Sequence, residues 1–314
     1  MASYRALRAV NYADPNSNAG ILMGFTGLCA EDAAADTNAP PAEIFEMAKL
    51  WSEYSSAPSF VDGTLRDLAD MIDHNWTNTG AAYQNWLGQL ETKRAWAERG
   101  TAYANKVSGE GWQGFEEHLA KAEAHLNKAW ELDPQDASTP YIVMTVELGQ
   151  GKGRDVMDKW FQRAMVISTN YYEAALSMSY YLEPRWHGSE EEALEFARGC
   201  VQTTRWGGRV PLVLVALHHS LAGYYQLRED PQYWRRPHVW PDVRDSYEKF
   251  FKLNPDDLEM RQAHAKDAFL CGHMDAFLAQ TTRFGSTTNY TLFGGEPKFR
   301  QMLAQAAAAP GSSK

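Results

Sequence analysis

The block PRWHGSEEEALEFARGC (residues 184–200) gathers Arg185, Trp186, His187 and Ser189 ahead of three consecutive glutamates. Serine beside histidine and carboxylates could serve nucleophilic or general acid–base chemistry, and arginine could hold an anionic group. The spacing argues against catalysis. Ser189 lacks the GxSxG strand-to-helix elbow that exposes a nucleophile, and its hydroxyl is wanted elsewhere. Pro184 disfavours helical geometry at Glu183, so a preceding helix, capped by Asn170 with Glu173 closing a capping box, ends there. Gly188 turns the chain through positive φ. Ser189 caps the next helix with Glu192 at the capping-box position, and Glu190, Glu191 and Glu192 lie in its first turn, where the dipole favours negative charge. Ala193, Phe196, Ala197 and Cys200 form its buried stripe, so Cys200 is expected to be an unreactive core thiol. Only Arg185, Trp186 and His187 are left for a partner or for packing against a neighbouring repeat.

The other chemical candidates are weaker. There are nine histidines, but no HExxH. His218 and His219 are adjacent and point about 100° apart on a helix. His118 and His125 share a face with no i,i+4 ligand to complete a metal site. GQGKGRD (149–155) lacks the GxxxxGK[ST] spacing and reads as an inter-helix turn. Glu116 with Glu117 and Asp256 with Asp257 sit at helix starts, where a dipole role suffices. No catalytic residue, metal ligand or cofactor is expected. The stretch REDPQYWRRPHVWPDVRD (228–245) is too long for a repeat turn. Its Trp234, Arg235, Arg236, His238 and Trp240 are residue types enriched at binding hot spots. The alternative is that the tryptophans fold back over a repeat end and the arginines pair with nearby carboxylates.

These segments sit in a chain of 314 residues with 44% hydrophobic residues, 22% charged residues and a net charge of −10. That balance gives a folded protein and argues against nucleic acid and acidic lipid as partners. Three cysteines, Cys29, Cys200 and Cys271, stand far apart in no zinc or CxxC spacing, which fits reduced thiols in the cytoplasm. Ala19–Ala30 is apolar but about half of a membrane span, and sits late for a signal segment. An exported chain with a removed or atypical leader is the alternative.

Residues 1–40 read as an irregular arm. Residues 41–109 read as a helical cap region with helices from Pro41, over about 59–76, and from about Gly80 towards Val107. From 110 to 309 helix-length amphipathic segments alternate with Gly, Pro, Asn or Asp breaks, and 310–314 should fray. Segment 297–309 is the candidate C-terminal cap. Three segments, 122–134, 157–169 and 243–255, repeat one spacing. Ala122, Leu126, Ala129 and Pro134 correspond to Met157, Phe161, Ala164 and Thr169, and to Val243, Tyr247, Phe250 and Pro255. Offsets of four and then three keep one helical stripe buried, and the last residue stops the helix.

This pattern resembles the second helix of the tetratricopeptide repeat (TPR), and NPDDLEMRQAHAKDAFLCGHMDAF (254–277), with Gly272 at its turn, looks like a later copy. Over about residues 85–305 the succession AERG, GWQGFEEHLAKAEAHLNKAWELDP, YYLEPRWHGSEEEALEFA and DPQYWRRPHVWPDVRDSYEKFFKLNP is similar to an uncharacterised family of bacterial TPR-like proteins with a YLxPRWxGSxEE block. Residues 1–80 show no such resemblance. The resemblance implies an all-α, TPR-like α-solenoid of stacked antiparallel helix pairs, and no reaction.

The expected function is a non-enzymatic scaffold for a protein or peptide, with first helices lining a groove that carries Tyr141, Tyr171, Tyr172, Tyr180, His218 and Tyr224. The net charge suggests a partner with some positive charge. Two rivals are a small-molecule binder or enzyme built on the 184–189 and 228–240 loops, and a structural subunit of a larger assembly or homo-oligomer.

Overall fold

The computed structural model describes residues 80–101, 104–226 and 232–309. The 1–40 arm, the helices expected over 41–76, Cys29 and the 310–314 tail lie outside them. The chain divides into two compact units, Met1–Gln150 and Gly151–Lys314.

The fold is all-helical and solenoid-like, with no strand among the described residues and helices packed in neighbouring pairs. The first unit contributes α1 (Ala81–Arg99), α2 (Gly109–Leu132) and α3 (Ser138–Gln150). The second contributes α4 (Arg154–Ile167), α5 (Tyr172–Tyr181), α6 (Glu190–Gln202), α7 (Val213–Gln226), α8 (Val239–Leu253), α9 (Leu258–Cys271), α10 (Met274–Phe284) and α11 (Glu296–Ala307). No described helix is long and apolar enough to cross a membrane.

The repeated spacing is the core. Ala122, Leu126 and Ala129, then Met157, Phe161 and Ala164, then Val243, Tyr247 and Phe250 are all at most 2% exposed. Their helices end at Leu132, Ile167 and Leu253, each two residues before the expected stop at Pro134, Thr169 or Pro255. Stops at a fixed distance from the buried stripe keep each connection short, so successive helices bury their stripes against each other. One boundary differs from expectation: the helix expected to run towards Val107 stops at Arg99, because Gly100 takes φ 67. Another is that 122–134 is the second half of one continuous 24-residue helix, α2.

Caps fix several starts. Ser108 accepts from the amide of Gly111 at 3.0 Å, Ser189 from Glu192 at 3.1 Å and Asp257 from Met260 at 2.9 Å. Each bond satisfies an orphan helix donor and contributes about 1 kcal/mol. The cap expected at Asn170 does not form. Tyr171 occupies that position with no side-chain cap bond, and the Asn170 amide oxygen accepts from the Ser168 hydroxyl at 3.1 Å.

Gly188 is not the positive-φ residue its sequence position suggested. It is needed for close approach: a Cβ there would lie 2.4 Å from the carbonyl oxygen of Leu182 and 2.9 Å from its Cα. The chain after α5 folds directly back onto that backbone, with the amide of His187 donating to the carbonyl of Tyr181 at 3.1 Å. Gly188→Ala should therefore cost about 1–3 kcal/mol through enforced backbone displacement. Thermal melting monitored by circular dichroism measures it, and an unchanged melting temperature would refute the close-approach role.

Candidate functional site: a groove along α5, α7 and α9

The helices that open each pair in the second unit leave two adjoining depressions. The larger, about 420 Å³, is lined by Leu176, Ser179 and Tyr180 of α5 with Glu183, and by Ala216, Leu217 and Ser220 of α7. The smaller, about 220 Å³, includes Tyr172, Arg209, Ala216, His219, Tyr247, Met260, Lys266 and Asp267 in its wall. Ala216 lines both, so the two cavities meet over the small side chain of α7. Groove access follows from helical phase. On α7 Leu214, Leu217, His218 and Leu221 are buried, which turns Ala216, His219 and Ser220 outward.

Each cavity has a fixed polar element. In the larger one the Glu183 side chain is only 3% exposed and its Oε2 lies 2.5 Å from the Arg185 guanidinium. Arg185 also donates to the Ser220 hydroxyl and lies 5.0 Å from the Tyr180 ring centre. Burial pushes the Glu183 carboxyl above its usual range, opposed by the bonds to Ser220 and Arg185. The Ser179 hydroxyl lines this cavity, is buried and has no hydrogen-bond partner. In the smaller cavity buried Asp267 accepts from the Tyr247 hydroxyl at 2.9 Å and pairs with His219 Nε2 at 2.9 Å. Arg209 spans the mouth, 5.7 Å from the Tyr172 ring centre on α5 and with an Nη 3.7 Å from Met260 Sδ on α9.

Of the residues expected at a binding site, Tyr172 and Tyr180 line these cavities. Tyr171 and Tyr224 are half-buried in the same unit, and Tyr141 is half-buried in α3 of the other. His218 does not face the groove. It is 0% exposed, with Nδ1 2.9 Å from the Tyr233 hydroxyl and Nε2 3.3 Å from Asp242. Its place at i+4 from Leu214 and i+1 from Leu217, inside the buried stripe, is the signal that marked it as interior.

Arg185 forms its ion pair with Glu183 just before it in the chain and donates to Ser220 of the neighbouring helix α7. Trp186 is half-buried, tilted against Tyr180 with ring centres 5.5 Å apart. His187 is exposed and stacks on Tyr181 at 4.7 Å. In the second loop Trp234 meets His219 edge-on at 4.7 Å. The Arg235 guanidinium lies over the αL turn at Gly272, and Arg236 pairs with Glu190 at 3.1 Å while lying 4.2 Å from the Tyr225 ring centre. Trp240 stacks on His273 at 4.3 Å. His238 lines a third, wide depression of about 960 Å³ with Glu190, Glu191, Glu195 and Arg198 of α6. Burial and the nearby His218 push the His238 pKa down.

The described part of the loop thus folds back, with Arg236 paired to Glu190 and Arg235 lying over Gly272. Its anchor is a residue that the sequence reading passed over, Tyr233, 1% exposed and stacked on Tyr225 at 5.6 Å. None of the three cavities is lined by Arg185, His187 or Arg236. Arg209, His219 and Asp267 were also missed, because pairing across α7 and α9 has no local sequence signal. Among the described residues no group of three or more His, Cys, Asp or Glu could hold a metal ion. Cys200 and Cys271 are buried free thiols whose pKa values burial pushes up to about 12. Neither the known protein-family models nor the curated proteins give a match to this chain.

Proposed function

We propose that the protein is a non-enzymatic, TPR-like scaffold that binds an extended segment of a partner protein along α5, α7 and α9. The observation that carries this reading is the pair of cavities meeting at Ala216 on the first helices of successive pairs. Two adjoining depressions in successive inter-helix grooves suit two same-facing side chains of one extended chain. Tyrosines in the walls offer apolar area and a polar tip at low entropic cost. The buried thiols Cys200 and Cys271 fit a cytoplasmic setting.

Ala216 gives the test. Ala216→Trp should plug both cavities with helicity intact, whereas Val166→Trp, at a site already 73% exposed, should not disturb them. A phage-displayed peptide library should yield binders to the native protein and to the Val166→Trp variant. The Ala216→Trp variant should lose them by at least tenfold. Binders that survive the plug would place the binding surface elsewhere.

A further inference from the structure

The chain is acidic overall, with a formal net charge of −10, yet the uncommitted charges at the groove are positive. In the larger cavity Glu183 and Arg185 neutralise one another at 2.5 Å. In the smaller one the Asp267 oxygens accept from the Tyr247 hydroxyl and meet His219 Nε2, both at 2.9 Å, bonds that occupy the carboxylate without cancelling it. Two cations remain. Among the described residues no carboxylate comes within salt-bridge distance of Arg209 or Lys266, both of which line that cavity. Arg209 is held across its mouth by the Tyr172 ring and Met260 Sδ. A guanidinium placed over an aromatic face and a thioether, with its charge unanswered, is set for an incoming anion. The remaining walls, Leu212, Val215, Ala263 and Leu292, are apolar, so such a pair would form in a partly desolvated site and not on an open surface.

The larger cavity asks for something different. Leu176, Tyr180, Ala216 and Leu217 make its apolar walls, Ser177 lines it as well, and the buried Ser179 hydroxyl has no hydrogen-bond partner. About 420 Å³ holds a large side chain with room to spare. The two cavities flank α7, one towards α5 and one towards α9. Packed helices stand about 8–10 Å apart, and a chain in the polyproline II form advances about 3.1 Å per residue with three residues per turn, so every third side chain points the same way. Side chains about three residues apart would reach both.

Building on the groove reading, we infer that the groove selects an acidic–apolar segment: a bulky apolar side chain seated between α5 and α7, and a carboxylate about three residues away between Arg209 and Lys266. The sign is opposite to the one the net charge suggests. Charges farther away than a Debye length, about 8 Å at physiological salt, are screened, so the nearest unpaired cations decide the contact.

Synthetic twelve-residue peptides in an Ala-Gly-Ser background, each with one Phe and one Glu at separations of one to six, test this by fluorescence anisotropy. Binding should peak at a separation of about three and fall at least tenfold when Glu becomes Lys. It should weaken as salt rises. The double variant Arg209→Gln, Lys266→Gln should bind Glu and Gln peptides equally while keeping its preference for Phe over Ala. A Lys peptide that binds as well as the Glu peptide, or indifference to spacing, would overturn the charge assignment and leave the groove reading standing. Failure of the native protein to bind any peptide of the series, together with library binders that the Ala216→Trp plug does not displace, would overturn both.

Discussion

Tyr233→Ala is expected to lower the stability of the second unit by about 3–5 kcal/mol, the range for emptying a large aromatic site in a core. Trp234→Ala, one residue on, should cost about 1 kcal/mol or less. The contrast follows from what each ring touches. Tyr233 is 1% exposed, its hydroxyl is 2.9 Å from His218 Nδ1, and its ring stacks on Tyr225 with an interplanar angle of 16°. Burial pushes its phenol well above the ordinary range. His218 leans in turn on Asp242, which Arg198 holds at 2.7 Å. Deleting Tyr233 would open a cavity and leave a fully buried imidazole nitrogen unpaired. Trp234 is half-buried, with edge contacts to His219 and to the Tyr233 ring. Tyr233→Phe separates the two parts: it keeps the ring and should cost about 1–3 kcal/mol for the orphaned His218 nitrogen. Urea titrations followed by circular dichroism read all three. If Trp234→Ala proved the costlier substitution, the loop would be anchored by its tryptophan and the assignment of Tyr233 would be wrong.

Periodicity carried the sequence reading as far as short-range rules reach. The offsets of four and three found nine core positions, and Ser189 and the proline-marked stops placed helix ends, because stripes and caps are decided within one or two turns. Gly188 shows where such rules stop. Its neighbourhood called for a glycine, but the reason is the Leu182 carbonyl 2.4 Å from an absent Cβ, not a positive φ. His218 and His219 show it again. Adjacent histidines must face different ways, and only the register of Leu214, Leu217 and Leu221 tells which one turns inward. Of the groove residues expected on first helices, Tyr172 and Tyr180 line the two cavities, whereas Tyr141, Tyr171, His218 and Tyr224 do not. The local charge was not foreseen, since a net charge sums over the whole chain while Arg209 and Asp267 acquire their roles through contacts 20 to 51 residues away in sequence.

His264 gives the fold a dependence on acid. It is 6% exposed, neither ring nitrogen has a hydrogen-bond partner, and it lies between Tyr247 at 4.6 Å and Trp240 at 5.9 Å. Burial among these rings pushes its pKa from 6.5 down to about 4, with Asp267 opposing the shift and Arg261 adding to it. Above pH 6.5 the imidazole is neutral in both folded and unfolded chains and costs nothing. As pH falls the unfolded chain takes up the proton first, so stability drains away between about 6.5 and 4. At about 1.4 kcal/mol per unit the full loss is about 3 kcal/mol. His125, His238 and His273 are shifted down as well and add to the slope with the same sign. Asp242, whose pKa is lowered by His218 and Arg198 against the opposing effect of burial, adds to it at the acid end. His264→Phe isolates the one residue, since it keeps a ring against Tyr247 and Trp240 and removes the proton. Unfolding free energies of the two proteins should converge towards pH 7.5 up to a constant offset. They should diverge by about 2–3 kcal/mol in favour of the variant as the pH is lowered to about 4.5. Parallel loss in both proteins across that window would mean that His264 takes up its proton without unfolding the chain, and that the aromatic stack opens to water instead.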